Sequence, residues 1–226
     1  MSTRLELQSI SPVTHDTHHL VFPRPDGFDF DPGQAVELNL TREGWTDEKR
    51  PFTFTNPVDG DTLEFVIKSY PDHDGVTEQI ATLKPGEAVE VSDPWGAIKD
   101  KGPGTFIAGG AGVTPFISIL RARLAREGTL EGCRLIFSNK TEDDIILRDE
   151  FESMSGLETV WTVTKQDDPG AGVQTAKIDR GFLAPYVEKE SGKFYVCGPH
   201  EMVDELEATL KELGVSQDRI VREDLD

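Results

Sequence analysis

Three short segments carry residue types that chemistry could use. The first is Gly109-Gly110-Ala111-Gly112-Val113-Thr114-Pro115, a glycine-rich turn after the apolar run Thr105-Phe106-Ile107-Ala108. Glycines let a backbone approach a diphosphate closely, and a helix opening there offers free N–H groups and a partial positive charge. The segment is not G-x-G-x-x-G, and a glycine turn before a helix serves structure as readily as a ligand. The second is Val196-Cys197-Gly198-Pro199, again a strand end that opens a helix. Its cysteine reads as core or as a thiol at a reactive site. The third is Arg50-Pro51-Phe52-Thr53-Phe54-Thr55-Asn56-Pro57. Arginine can fork onto a diphosphate, an aromatic can cover a planar ring, and a threonine hydroxyl can bond a ring nitrogen. Taken alone, this segment is also a plain strand with one surface arginine.

The elements that must position these residues fall into two halves with different periods. Up to about Glu90 the runs are short and strand-like, as in Ala35–Leu40 and Leu63–Ile67, with turn signals at Pro32-Gly33, Asp59-Gly60, Asp74-Gly75 and Pro85-Gly86. This spacing predicts an antiparallel barrel or sandwich. Asp59-Gly60 predicts a hairpin between Phe52–Thr55 and Thr62–Lys68, and Thr77 is the expected N-cap of one short helix. After Asp100-Lys101-Gly102-Pro103-Gly104, strands alternate with helices, which predicts a parallel α/β sheet. Strands are expected at Thr105–Ala108, Arg134–Phe137, Thr159–Val163, Lys193–Val196 and Arg219–Arg222. Helices are expected after Thr114 as N-cap with Gly128 as C-cap, around Leu147–Met154, and from Pro199 to Leu213. The chain of 226 residues therefore divides into residues 1–100 and 101–226. Both strand-to-helix turns belong at the carboxyl edge of the sheet, where ligands bind in such folds.

In order, Arg50-Pro51-Phe52-Thr53, an abbreviated Gly75-Val76-Thr77, Gly109–Pro115 and Cys197-Gly198-Pro199 resemble the ferredoxin–NADP reductase superfamily over nearly the whole chain. The resemblance implies an N-terminal antiparallel Greek-key β-barrel binding FAD and a C-terminal α/β domain binding NAD(P). It implies that Arg50 holds the flavin diphosphate, Pro51 and Phe52 lie at the isoalloxazine ring, and Thr53 bonds flavin N5. Ile67 and Lys68 match the strand that borders the flavin, and Gly75, Val76 and Thr77 the helix start at its diphosphate. Gly110, Gly112, Val113, Thr114 and Pro115 match the turn where nicotinamide meets flavin. Cys197, Gly198 and Pro199, with Met202 in the following helix, match the nicotinamide side. Thr53 and Cys197 are the catalytic candidates, and no side chain is required as general acid or base. Ser138, Asn139, Lys140 and Asp144 fall where the adenosine ribose would bind, in a segment similar to cytochrome b5 reductases. There Glu142, Asp143 and Asp144 oppose a 2′-phosphate while Lys140 and Ser138 favour one, which leans the coenzyme to NADH over NADPH. The implied activity is hydride transfer from nicotinamide C4 to flavin N5 and onward electron transfer to a carrier or small acceptor. A flavin- and dinucleotide-binding subunit without turnover of its own is the alternative. One departure is the closing Leu225, where many members carry an aromatic residue.

Composition narrows the remaining classes. There are 42 acidic and 23 basic residues, a net charge of −19, split as 19 against 8 in residues 1–100 and 23 against 15 in 101–226. A surface so evenly acidic repels nucleic acid and anionic lipid. No apolar run approaches the roughly 20 residues of a membrane span. The opening Met1-Ser2-Thr3-Arg4-Leu5-Glu6 has no signal-peptide core, so a cytoplasmic location is expected. Cys133 and Cys197 are too few for a four-thiolate iron–sulfur cluster, so the acceptor is expected to be a separate protein or small molecule. His15, His18 and His19 straddle a strand whose neighbours face opposite ways, and no metal is expected there.

Overall fold

A computed structural model describes residues 2–70, 75–96 and 98–223; Asp74 and Leu225 lie outside them. The first half holds seven strands: β1 (Ser2–Glu6), β2 (Ser9–Pro12), β3 (Thr17–Pro23), β4 (Ala35–Leu40), β5 (Arg50–Thr53), β6 (Thr62–Lys68) and β7 (Ala88–Ser92). They form two antiparallel sheets, β1-β7-β4-β5 and β2-β3-β6. Leu20, Phe22, Val36, Leu38, Phe54, Phe65 and Val91 fill the space between them, which is the inward half of each alternating pattern.

The predicted β5–β6 hairpin does not form as a ladder. The two strands belong to different sheets and meet at one bridge, Phe54 to Phe65. Asn56 explains the break, because its amide takes over the ladder bonds. Its Nδ2 donates to Thr62 O at 2.7 Å and its Oδ1 accepts from Glu64 N at 2.9 Å. Pro57 next to it has no N–H to offer. The chain thus changes sheets at this corner and closes the barrel. The short helix α1 (Val76–Ile80) starts two residues earlier than expected, with Gly75 rather than Thr77 as N-cap.

The second half is a six-stranded parallel sheet in the order β11-β10-β9-β8-β12-β13. Its strands are β8 (Gly104–Gly109), β9 (Cys133–Asn139), β10 (Leu157–Val163), β11 (Val173–Thr175), β12 (Lys193–Cys197) and β13 (Ile220–Arg222). Its helices are α2 (Thr114–Glu127), α3 (Arg148–Ser153), α4 (Arg180–Val187) and α5 (His200–Glu212). Strand β8 is buried at all six positions. Phe106 and Ala108 pack with α2 residues Phe116, Ile117 and Leu120, while Ile107 packs with Val203, Leu206 and Leu210 of α5. Helices therefore cover both faces, as continuous apolar strands require. Strand β11, in a polar stretch, and helix α4, with Pro185 inside it, were not among the expected elements. Gly128 is left-handed at φ 75° and caps α2 as expected, but Thr114 is not its N-cap. A 3-10 turn over Gly110–Val113 runs straight into α2, and Thr114 Oγ1 donates to Ala111 O at 3.0 Å.

The halves are joined by apolar and polar contacts. Ile98 and Val66 pack into the core that contains Phe116 and Ile119. Arg121 of α2 donates from Nη1 to Thr55 O at 2.6 Å and holds Glu150 with its other nitrogens. The connecting segment is fixed to the second half. Asp100 binds Arg123 at 2.8 Å, and Tyr195 Oη accepts from Lys101 N and donates to Gly102 O. Burial pushes the Tyr195 phenol up to about 12. Among the described residues no helix is long and apolar enough to cross a membrane.

Candidate functional site

Strand order reverses between β8 and its neighbour β12, the place where an open parallel sheet leaves a crevice at its carboxyl edge. Both strand-to-helix turns singled out in the sequence sit there, backbone against backbone. A Cβ on Gly112 would lie 2.5 Å from Cys197 C, Cys197 O and Gly198 N, and one on Gly198 would lie 3.2 Å from Gly109 N and Cα. Glycine at these positions is a packing requirement of the turn pair. Gly110 differs, since its φ is +52° and a Cβ there would meet nothing within 4 Å.

Above the turns lies a cleft of about 880 Å³ shared by the two halves. On the barrel side it is lined by Pro51, Phe52, Thr53, Ile67, Lys68 and Thr77. On the other side it is lined by Gly110, Gly112, Thr114 and Pro115 of the first turn, by Cys197, Gly198, Pro199 and Met202 of the second, and by Ser138, Asn139, Lys140 and Asp144 after β9. Residues as distant in sequence as Pro51 and Met202 are thus gathered at one cavity, of a size that suits cofactors. Four expected residues do not line it. Gly75 is the N-cap of α1, Val76 and Val113 are buried in the two cores, and Arg50 lies at the surface on Glu48 at 3.3 Å. Val66, Tyr70, Thr164, Lys177, Ile178, Glu201, Glu205, Leu206 and Glu223 also line it and were not anticipated as site residues, and Gly109 and Ala111 of the first turn join them. Lys177 and Ile178 follow the unforeseen β11, so no pattern pointed to them.

The acidic run after β9 is only partly turned to the cleft. Glu142 is drawn away by Gly170 N at 2.6 Å, Gln166 and Arg148, and neither it nor Asp143 lines the cavity. The repulsion expected from these two carboxylates toward a 2′-phosphate therefore has no geometric support. Asp144 does line the cavity. Burial would raise its carboxyl, but bonds from Thr141 and Lys68 outweigh that and hold it below the usual aspartate range. The three histidines diverge: His15 lies near Asp16 and Asp144, His19 binds Glu64 at 2.8 Å, and His18 Nδ1 is buried without a partner among the described residues.

Cys197 is buried at the cleft wall, its Sγ 3.8 Å from Glu223 Oε2. Burial, reinforced by the Glu223 carboxylate, pushes its thiol far above the ordinary range, and burial also raises Glu223. Cys197 is consequently a neutral thiol, not a thiolate nucleophile. The cavity fits a flavin and a nicotinamide dinucleotide on this structure's own features. It has a tight glycine floor, and Asn139 at its wall carries a buried Nδ2 with no partner among the described residues.

Comparison with known proteins agrees with this geometry. Residues 4–99 match the family model of the oxidoreductase FAD-binding domain, and residues 106–208 that of the oxidoreductase NAD-binding domain. The chain is 26% identical to NADH-cytochrome b5 reductase 2 of Mycosarcoma maydis, over 96% of this chain and 71% of that protein. Among solved structures it resembles the CS-b5R domains of human Ncb5or in an NAD+ form. There the TM-score is 0.87 and the identity 27%, covering 98% of this chain and 69% of that one. The fold is also that of a ferredoxin NADP+ reductase from Neisseria gonorrhoeae with bound FAD and NADP. That match has a TM-score of 0.85 and 21% identity, covering 98% and 97% of the two chains.

Proposed function

The chain belongs to the ferredoxin–NADP reductase superfamily, an FAD-binding domain followed by an NAD-binding oxidoreductase domain, and is an NAD(P)H-dependent flavoprotein reductase; we propose how its residues divide that work. The reading rests on one observation: a single cleft is lined by Pro51–Thr53 of β5 and by both glycine turns. Domain limits at 1–100 and 101–226 go with it. When bound, FAD supplies the hydride-accepting ring and NAD(P)H the hydride. Phe52 covers the ring, Thr53 orients it through a hydroxyl hydrogen bond at its reactive nitrogen, and Ile67 borders it. Arg50, paired with Glu48 in this structure, would hold the flavin diphosphate together with the helix start at Gly75, Val76 and Thr77. Gly110 and Gly112 let the Gly109–Pro115 turn approach the dinucleotide, with Val113 anchoring the turn in the core. Cys197, Gly198, Pro199 and Met202 form the opposite wall against the nicotinamide. The neutral Cys197 thiol excludes water there without adding a charge. Ser138, Asn139 and Lys140 receive the adenosine end, with Asn139 Nδ2 as the waiting donor. NADH is the preferred coenzyme, supported by the NADH-cytochrome b5 reductases among the relatives. Precise placement of two bound reactants accounts for the rate, so no acid–base side chain is needed.

The electrons leave to a separate acceptor, and a net charge of −19 favours one with a basic face. Two free, buried cysteines suit a reducing compartment such as the cytoplasm. The test is steady NADH oxidation by the FAD-loaded chain with two acceptors. The rate with ferricyanide, an anion, should rise with salt, and the rate with a basic haem protein should fall. A colourless protein that cannot be reconstituted with FAD would overturn the reading.

A further inference from the structure

Strand β6 ends on Lys68, whose ammonium is turned away from solvent. Its side chain is 9% exposed, and Nζ lies 2.7 Å from Asp16 Oδ2 and 3.1 Å from Asp144 Oδ1. Lys68 and Asp16 belong to the barrel, whereas Asp144 belongs to the nucleotide half and is itself only 10% exposed. The second oxygen of Asp144 is occupied as well. Oδ2 accepts from Thr141 N at 2.9 Å and from Thr141 Oγ1 at 2.8 Å, closing a capping box on the turn that leaves β9. One carboxylate thus fixes the loop that carries Ser138–Lys140 and grips a lysine from the other domain. His15 Nε2 stands 3.9 Å from the same Asp144 oxygen and 3.5 Å from Asp16.

We propose that Lys68 and Asp144 are a positioning pair, a charge brace across the domain junction that holds residues 138–144 against β6. The brace keeps the dinucleotide end of the cleft formed before ligand arrives. This rests on the cleft reading above. Removing Lys68 leaves Asp16 and Asp144 without their shared cation in a nearly buried place, and removing the Asp144 charge leaves Lys68 tied to Asp16 of its own domain alone; either way the bond from the loop to β6 is lost and the junction relaxes. The loop then has to be ordered by the ligand, which weakens binding. Both truncations therefore act in the same direction. Two side chains that met an anionic ligand as independent charges would act in opposite directions, because one variant removes a positive charge and the other a negative one.

The experiment compares Lys68→Met, Asp144→Asn and the double variant in the full chain saturated with FAD. NAD+ binding is measured by calorimetry, and amide hydrogen exchange is measured over residues 138–144. Each single variant should weaken NAD+ binding about fivefold or more, and the double variant no further than the worse single, since contacting residues are not additive. Thr141 should lose amide protection even in Lys68→Met, which leaves its bond to Asp144 untouched, and Lys68→Arg should restore it. Tighter NAD+ binding in Asp144→Asn, or additive losses in the double variant, would overturn the brace. A wild type that takes up neither FAD nor NAD+ would overturn the cleft reading instead. Thr141 protection in the ligand-free variants would then decide the brace alone.

Discussion

Gly112→Ala should cost more than any other alanine in the glycine turn. The added methyl would sit 2.5 Å from three backbone atoms of Cys197 and Gly198, where real contacts essentially never fall under 3.0 Å. The two turns must therefore part by about half an ångström, and backbone cannot swing aside as a side chain does. Overpacking of this kind costs about 1–3 kcal/mol. At roughly 2–4 °C per kcal/mol for a chain of this length, the melting temperature should fall by about 2–12 °C. Gly109→Ala is the control, because its methyl meets the flexible thioether of Met202, which can move. Gly110→Ala meets open space and costs only the left-handed backbone at φ +52°, about 1–2 kcal/mol. The assay is scanning calorimetry of the three FAD-saturated variants with NAD+ titrated into each. Gly112→Ala should melt lowest and also lose NAD+ affinity, because its methyl wedges apart the two turns that floor the cleft. If it melts and binds like wild type, the close backbone approach is wrong.

Three further outcomes follow from the same contacts. Arg50→Ala should weaken FAD retention about 10- to 150-fold, a charge-assisted diphosphate contact, while hydride transfer in the loaded fraction stays near wild type; equal FAD affinity would leave Arg50 as the surface partner of Glu48. Asp16 and Asp144 are held below the ordinary aspartate value of 3.8, so their stabilising contribution is complete above that value and is lost as pH falls through their folded values. Asp144→Asn should accordingly flatten the acid limb of denaturant midpoints taken between about pH 5 and 2, and an unchanged limb would mean that other carboxylates carry it. NADH should have the higher specificity constant at low salt, and Glu142→Gln should leave the NADH to NADPH ratio unchanged because Gly170 and Arg148 hold Glu142 off the cleft; a shifted ratio would put that carboxylate back at the ribose.

Much of the site was legible because it is local. A short apolar strand, glycines and Thr114-Pro115 announce a strand-to-helix turn whatever the rest of the chain does, and the structure has it between β8 and α2. The barrel corner was not legible, since Asp59-Gly60 signals a hairpin while the decisive group is the Asn56 side chain, whose hydrogen bonds no periodicity encodes. The acidic run after β9 misled for the same reason. Charge can be counted in sequence, but the turning of Glu142 toward Gly170 depends on residues 28 positions away. Strand β11 has three residues and helix α4 encloses a proline, so neither offers a repeat long enough to detect.

The sheet order also fixes a sequence of assembly. The barrel can close once Ser92 is available, because β7 pairs with β1 through Ser2 and Ser92. The sheet around β8 cannot, because the neighbour that forms the second wall of the cleft, β12, begins only at Lys193 and pairs with Gly104 across 88 intervening residues. During synthesis from the amino end, the Gly109–Thr114 turn therefore waits beside an open sheet edge until Lys193–Cys197 has been made. That exposed edge of β8 is the interval in which the chain is most open to pairing with another strand, and it ends when β12 docks.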